Sequence, residues 1–348
     1  MFALFACAFF VQKGSTQTNT ETAGQKFKNI KVLNEMPADQ LGRVMNMFAA
    51  SLGVNCNFCH VASDTDFDKD GKKEKATARE MIKMTFEINK NNFNNRPQVA
   101  CNTCHGGHEQ PISAPNLNPA AAKERPKQPD VKPTIDEILD KYTSAIGGKA
   151  ALAKVGSRYI KASRVERDGK TSESEEIWQK GTKLRVETQY AKYLISEGFN
   201  GTAAWKHDSY GEIKLRPDET ERIKRQAQTF ANLDLKTVYA RMDFRFVDRI
   251  DDREVYLVLA TTPDNNRERL YFDTQTGLLV RRTGSSQTIF GPFIFQIDYS
   301  DYTAFGGVKL PATIRFAVPN TVFTRKILEV KNNVTVDDAK FDMPAAKN

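Results

Sequence analysis

The sequence ASLGVNCNFCHV, residues 50–61, contains the unit Cys-x-x-Cys-His, and QVACNTCHGG, residues 98–107, contains it again. The two units use four of the five cysteines in the chain. This unit is the attachment signature of c-type haem, in which both thiols bond to the porphyrin and the adjacent imidazole binds the iron. A zinc site or disulfides are the alternatives, but neither requires a histidine after each pair. The sequence predicts two covalently bound haem c groups, with Cys56, Cys59, Cys101 and Cys104 as attachment residues and His60 and His105 as iron ligands.

A low-spin haem iron also needs a second axial ligand. The chain has four histidines and eight methionines. Bis-histidine ligation of both haems would require His108 and His207, which we interpret as an ordinary surface histidine and an ordinary histidine of the C-terminal region. A methionine thioether raises the reduction potential and fills the coordination sphere. Methionine ligation therefore favours electron transfer over catalysis at the iron.

Each Cys-x-x-Cys-His unit is preceded by a predicted helix that carries methionines. Residues 37–53, PADQLGRVMNMFAASLG, place four apolar side chains on one helical face: Leu41, Met45, Phe48 and Leu52. Met47 points away from that stripe, so Met45 is the candidate ligand of the first iron and Met47 the alternative.

The second predicted helix is KATAREMIKMTFEINKNNF, residues 75–93. Met81, Met84 and Ile88 share one face of it, so periodicity alone does not choose between the two methionines as ligand of the second iron.

The chain divides into four parts by composition. Residues 1–23 combine an apolar leader with a polar tether, and residues 24–112 hold the helices around the haem motifs. Residues 113–133 are rich in proline and read as an extended linker. Residues 134–348 begin with a helix, IDEILDKYTSAIGG, which the two glycines stop. They continue with alternating runs such as EVYLVLATT and FIFQIDYSDY, interrupted by the helical pattern PDETERIKRQAQTFANL. The expected fold is multidomain: an all-α dihaem cytochrome c domain followed by an α+β domain with a curved antiparallel sheet.

The apolar run at the start of the chain predicts export. MFALFACAFFVQ has the length of a signal-peptide core, although no basic residue precedes it. The sequence Leu4-Phe5-Ala6-Cys7 resembles a bacterial lipobox, and a lipidated Cys7 would bind a membrane surface; removal of Cys7 with the leader is the alternative. Both place the protein in the periplasm, at the outer membrane or outside the cell.

The formal net charge of +8 does not by itself define a partner. No arginine-rich run or nucleic-acid motif accompanies it, so we expect no nucleic-acid partner. Acidic partner proteins and anionic surfaces are compatible with it. We expect a redox protein donor and acceptor, with a homo-oligomer as an additional alternative.

The sequence DFDKDG, residues 66–71, matches the first half of an EF-hand loop. Asp66, Asp68 and Asp70 are candidate calcium ligands, but Thr77 stands at position twelve, where the loop needs a bidentate Glu. A solvated acidic loop is the alternative interpretation.

The N-terminal half resembles the cytochrome c subunit of photosynthetic reaction centres. The similarity lies in KNIKVLNEMPADQLGRVMNMFAASLGVNCNFCH and in TAREMIKMTFEINKN followed by VACNTCHGG, and it covers residues 26–112. In that family the first Met of the Ala-Arg-x-Met helix ligates the iron, which implies Met81 here; the earlier Val-Met implies Met45. The best-known members bind four haems, whereas this chain has two motifs, and Gly106 stands where an Arg is common. A photosynthetic role therefore does not follow from the resemblance.

The C-terminal half has a weaker resemblance to the lipoprotein-carrier half-barrels, which are LolA/LolB-like. It is carried by the helix ending in IGG, by FDTQTGLL, by YSDYTAFGGVKLPATI and by the closing FDMP. The resemblance implies an antiparallel sheet wrapped around helices, and it does not carry a function.

Taken together, the sequence predicts an exported dihaem electron carrier without catalytic activity. A lipid-binding, lipoprotein-binding or scaffold protein with accessory haems is the alternative, and a subunit of a polymeric cytochrome assembly is another.

Overall fold

The computed structural model describes residues 21–61, 66–111, 126–167, 169–232 and 235–345. Cys7, the apolar leader and residues 113–125 of the predicted linker lie outside these ranges. Among the described residues, no helix combines the length and the apolar character needed to cross a bilayer.

Four helices occupy the N-terminal part: α1 (Ala23–Lys26), α2 (Leu41–Leu52), α3 (Lys73–Asn92) and α4 (Cys101–His105). Helices α2 and α3 coincide with the two helices predicted upstream of the haem motifs. The most buried side chain of α2 is Val44, and α3 buries Ile82, Thr85 and Asn89. Val44 and Ile82 belong to one small core that the two helices share.

That core is completed by a residue far along the chain. It contains Ala23, Leu33, Met36, Val44, Ile82 and Phe290. Phe290 lies in the turn between two strands of the C-terminal sheet. The helical part and the sheet therefore share one hydrophobic core.

The C-terminal part begins with α5 (Ile135–Ala145), which carries a capping box. The Glu137 amide donates to Thr134 Oγ1 at 3.2 Å, and the Thr134 amide donates to Glu137 Oε2 at 2.8 Å. The helix ends before Gly147 as predicted, but a second short helix, α6 (Gly148–Ala153), begins directly afterwards.

Thirteen strands form one antiparallel sheet in the order β6-β5-β4-β3-β2-β1-β13-β12-β11-β10-β9-β8-β7. Because the last strand pairs with the first, the N-terminal meander of the sheet joins its C-terminal meander at the centre. Register shifts at Lys161/Ala162, Phe244/Phe246 and Leu279/Arg281 mark bulges, which bend strands. The strands are β1 (Ser157–Glu166), β2 (Thr171–Lys180), β3 (Lys183–Gln189), β4 (Leu194–Phe199), β5 (Ala204–Asp208), β6 (Gly211–Glu212), β7 (Arg241–Ile250), β8 (Arg253–Thr261), β9 (Arg267–Asp273), β10 (Leu279–Thr288), β11 (Gly291–Phe305), β12 (Val308–Val318) and β13 (Thr321–Asn332).

The helices of the C-terminal part cover one face of this sheet. Helices α5 and α8 (Leu235–Val238) pack on β8 to β10, and α7 (Pro217–Asn232), the predicted helical interruption, packs on β1 to β3. The α5 and α8 cluster and the α7 cluster lie on the same face of the sheet. Leu310 belongs to the α7 cluster, and Ile314, four residues later in β12, projects to the same face. Tyr299, the strand partner of Ile314, packs against the α5 and α8 cluster. The same face also carries ion pairs: Arg325 donates to Glu175 Oε1 at 3.1 Å, and Arg222 of α7 donates to Glu197 Oε2 at 2.8 Å.

One edge of the sheet is covered by a side chain from the end of the predicted linker. The side-chain amide of Gln128 donates to the Val247 carbonyl at 2.9 Å and accepts from the Val247 amide at 2.8 Å. This pair of bonds has the pattern of a neighbouring strand, so it satisfies the outward backbone groups of β7 at that residue.

Gly147, between α5 and α6, lies directly against the turn between β11 and β12, so a substitution there tests this contact. Its φ is +123°, and an added Cβ would lie 2.3 Å from the Gly307 carbonyl oxygen. We expect Gly147→Ala to lower the free energy of unfolding by about 3 kcal/mol, since it combines left-handed strain with a backbone clash. Gly156→Ala is the matched control, because its added Cβ makes only an ordinary contact at 3.9 Å. Equal denaturation midpoints for the two variants would contradict this account.

Candidate haem attachment sites

The four cysteines of the two motifs are free thiols at or near the surface. Cys56 and Cys104 are exposed, whereas Cys59 and Cys101 are half-buried. The first pair lies on the 3₁₀ turn Cys56–Phe58 and the residue after it, and the second pair lies on α4. In both helical turns, residues three apart project to the same side, so each pair presents two thiols together.

The thiols are not arranged for a shared zinc ion. Within the described ranges, no group of three or more His, Cys, Asp or Glu side chains could hold a metal ion. Burial raises the pKa of Cys101 to about 11 and also raises that of Cys59.

The first motif histidine is held by a backbone carbonyl. His60 Nδ1 donates to the Phe67 oxygen at 3.0 Å, and the Phe67 ring packs edge-on against the imidazole. Lys75 Nζ donates to the same oxygen at 2.9 Å. Burial lowers the pKa of His60, which favours the neutral ring. With the proton fixed on Nδ1, Nε2 keeps its lone pair for a metal.

The second motif histidine has the same arrangement. His105 Nδ1 donates to the His108 carbonyl oxygen at 3.0 Å. His108 therefore contributes a backbone acceptor that orients the ring of His105. His207 lies on β5 and pairs with Ser196 and Glu212 in the sheet.

Met81 and Met84 lie on the open side of α3. Their exposed fractions are 39% and 42%, whereas Ile82 and Thr85 on the adjoining side of the helix are buried. The predicted face of Met81, Met84 and Ile88 is therefore apolar and partly accessible to solvent. An apolar helix face with two accessible thioethers suits a flat apolar group such as a porphyrin.

Met45 and Met47 of α2 both pack against the helical core. Met47 points away from the apolar stripe, and the turn between β10 and β11 covers that side of α2 as well. Thr288 Oγ1 lies 3.6 Å from Met47 Sδ. The sulfur of Met47 thus has a protein neighbour that periodicity could not reveal.

An open surface depression adjoins the first motif. Its lining comes from the segment around Cys56 and from the start of α3: Val54, Asn55, Asn57, Phe58, Gly71, Lys72, Lys73 and Glu74. The residues present therefore fit a c-type haem: paired thiols, a histidine with an available Nε2, and adjoining space or apolar surface.

The end of α2 touches the second motif. An added Cβ on Gly53 would lie 2.2 Å from the Gly107 carbonyl oxygen, and the Gly107 amide donates to the Ser51 carbonyl at 2.8 Å. Gly53, with φ of +69°, ends α2 and allows this close approach. The segments around the two Cys-x-x-Cys-His motifs are therefore in direct contact.

The loop that resembles half of an EF-hand is held by cations. Asp70 pairs with Lys31 at 2.7 Å, Arg79 at 2.9 Å and Lys75 at 3.3 Å. Asp66 pairs with Lys69 at 2.8 Å. Calcium needs carboxylate oxygens that converge on an empty centre, whereas the Asp70 carboxylate is already neutralised. The residues described therefore do not support the calcium interpretation of Asp66, Asp68 and Asp70.

The sequence did not predict that the β10–β11 turn of the sheet packs into the core of the helical part. Its sequence signal is the apolar pair Ile289-Phe290 in SSQTIFGPFIF, residues 285–295, at a turn where polar residues are usual. An apolar turn needs a cover, but the sequence does not indicate which segment supplies it.

Comparison with known proteins supports the cytochrome interpretation of the N-terminal part. Residues 8–144 match the family described as the photosynthetic reaction centre cytochrome C subunit. Cytochrome c-554 of Chloroflexus aurantiacus is 30% identical over 32% of this chain and 26% of its own length. The reaction center cytochrome c subunit of Roseobacter denitrificans is 27% identical over 26% of this chain and 28% of its own. The matches thus span about a quarter of each relative.

Solved structures similar to this chain include a LolA superfamily protein from Nitrosomonas europaea. It is 14% identical, with a TM-score of 0.45 over 61% of this chain and 99% of that one. A DUF1329 family protein from Desulfovibrio piger is 11% identical, with a TM-score of 0.43 over 61% of this chain and 99% of that one. The match over residues 8–144 confirms the predicted resemblance of the N-terminal part to the reaction centre cytochrome family.

Proposed function

We propose that this protein is an exported dihaem c-type cytochrome that passes electrons between a donor and an acceptor protein. Haem c would be attached at Cys56 and Cys59 and at Cys101 and Cys104. When bound, it supplies a one-electron iron couple.

The observation that carries the proposal is the matched state of the two motif histidines. His60 and His105 each donate from Nδ1 to a backbone carbonyl at 3.0 Å. Such a bond fixes the tautomer and the orientation of a metal-ligating ring and leaves Nε2 for the metal. Two unrelated surface histidines would have no reason to share it.

We assign Met45 and Met81 as the second axial ligands. The resemblance to the reaction centre family supports both. The accessible face of α3 supports Met81, and the neighbour of the Met47 sulfur in the β10–β11 turn leaves Met45 as the better candidate on α2. Two thioether ligands would fill both coordination spheres, which favours electron transfer over substrate chemistry at the iron.

The sheet favours a scaffold role for the C-terminal part over a lipid-binding role. Its helix-covered face packs against α5, α7 and α8 and carries the ion pairs Arg325–Glu175 and Arg222–Glu197. A site for lipid chains needs an open apolar cavity, and paired charges on its wall would oppose that use. The turn shared with the helical core supports a structural contribution to the cytochrome part.

The ligand assignment is tested by replacing each methionine in the haem-loaded protein. We expect Met45→Ala and Met81→Ala each to remove the Met–iron absorption of one haem and to lower one midpoint potential by on the order of 100 mV, since axial ligand identity sets the potential. Met47→Ala and Met84→Ala are the matched controls on the same helices and should leave both potentials near those of the parent. Redox titration with visible and near-infrared spectra provides the measurement; an unchanged spectrum in Met45→Ala or Met81→Ala would refute that assignment.

The Asp70 cluster predicts a specific pH dependence. Hydrogen bonds from Arg79 and Lys31 hold the pKa of Asp70 far below its usual value. Its contribution to stability is therefore complete above about pH 4, the ordinary Asp pKa, and is lost as the pH falls towards the folded-state pKa. We expect Asp70→Asn to unfold at a lower temperature than the parent at pH 7 and the difference to shrink below pH 4. A difference that stays constant between pH 7 and pH 3 would contradict this role. Asp301→Asn, at an exposed position of β11, serves as the control.

A further inference from the structure

The turn between β10 and β11 has an unusual composition for a hairpin tip. Thr288 pairs with Gly291, so only Ile289 and Phe290 connect the two strands. Two-residue hairpin turns favour Asn and Gly, because both tolerate positive φ and solvent. Phe290 is instead only 2% exposed. The presence of Phe290 in this turn is therefore explained by the residues that bury its ring and not by the conformational preference of the turn.

The cover consists of the two methionine-bearing helices. The Phe290 ring meets Phe48 of α2 edge-on at 4.9 Å and stacks on Phe86 of α3 at 5.0 Å. Aromatic pairs of this geometry add about 0.5–1.5 kcal/mol each to the burial of the ring. Phe290 thus occupies the space between α2 and α3 and fixes their separation.

A polar contact fixes the rotation of α2. Arg43 Nη1 donates to Ser286 Oγ of β10 at 2.9 Å and pairs with Asp218 Oδ2 of α7 at 3.1 Å. Its side chain is 16% exposed, so solvent screens the ion pair only in part. Together with Phe290, this contact holds the start and the middle of α2 against the sheet.

The same turn lies against one of the two methionines of α2. Thr288 Oγ1 is 3.6 Å from Met47 Sδ and 2.8 Å from the Gly291 carbonyl oxygen. The hydroxyl has one proton, and the closer carbonyl takes it, so the oxygen and the sulfur are in van der Waals contact. Met47 is therefore confined by the hairpin, whereas Met45 lies two residues earlier on a different side of α2.

We propose that Phe290 is a positioning residue for the first haem: the hairpin tip fixes the rotation of α2, so that Met45 and not Met47 is presented to the iron bound by His60. The inference rests on the proposed function, because it assigns a role in the ligand geometry of that site. Without the tip, α2 loses the packing that sets the orientation of its middle turn, and the Met45 thioether is no longer held towards the iron.

The test compares two phenylalanines that are equally buried in different cores. Phe290→Leu and Phe290→Ala alter the hairpin tip, whereas Phe272→Leu and Phe272→Ala alter the core below α5, where Phe272 is fully buried. All variants are prepared as the haem-loaded full chain. The leucine variants remain informative if an alanine variant fails to fold.

We expect the Phe290 variants to reduce the Met–iron absorption of the haem attached at Cys56 and Cys59 and to lower its midpoint potential. Amide hydrogen exchange in residues 41–52 should accelerate by on the order of 100-fold in Phe290→Ala, the effect of losing a buried aromatic ring. The Phe272 variants should lower thermal stability without changing either haem. Parent-like spectra and potentials in both Phe290 variants, or equal changes in the Phe272 variants, would overturn the proposal.

The hydrogen-exchange readout separates this inference from the proposed function. If the parent itself shows no Met–iron absorption, the ligand assignment fails, and exchange in residues 41–52 still decides whether Phe290 fixes α2. If the parent shows that absorption but exchange in α2 is unchanged by Phe290→Ala, the positioning role alone is wrong.

Discussion

The burial of Phe290 between Phe48 and Phe86 joins the two parts of this protein. Helices α1 and α4 have only four and five residues, and α2 and α3 have three buried residues each. Such a set of helices encloses little apolar surface, and small domains of this kind usually need an additional source of stability. The hairpin tip supplies a large apolar side chain at the point where the two longer helices face each other. The haem-bearing part therefore depends on the sheet for its core as well as on any bound group.

The two motif histidines, His60 and His105, are oriented by backbone carbonyls of the residues that follow them. The segment that follows the first motif returns to α3 through Asp70, whose carboxylate is shared by Lys31, Lys75 and Arg79. The same segment offers the Phe67 carbonyl to His60. The ion pairs of Asp70 hold the loop that precedes α3, and the Phe67 carbonyl of this loop orients the imidazole of His60. The second motif needs no such loop. The chain turns at Gly106 and Gly107, so that the carbonyl of His108, three residues after His105, reaches the imidazole of His105.

Local pattern was sufficient to predict the elements of this fold but not their contacts. Helical periodicity located α2, α3, α5 and α7, and alternation located the large antiparallel sheet, because each pattern reflects a buried face within one segment. The contact of Phe290 with α2 spans more than 240 residues of chain, and no local signal encodes the partner. The cover over Met47 was not predicted for the same reason, since its neighbour Thr288 comes from the sheet. The calcium candidate in the acidic loop rested on carboxylates that the sequence shows, whereas the cations that pair with Asp66 and Asp70 are visible only in the structure.

The bonds between Gln128 and Val247 have a consequence for assembly. An edge strand with free amide and carbonyl groups is a template on which another copy of the chain can add a strand. At β7 the outward groups of Val247 are already taken by the Gln128 amide. The bulge between Phe244 and Phe246 distorts the same strand. Copies of this protein would therefore not extend their sheets into one another through the middle of β7, and electron transfer between copies would require contacts made by other surfaces.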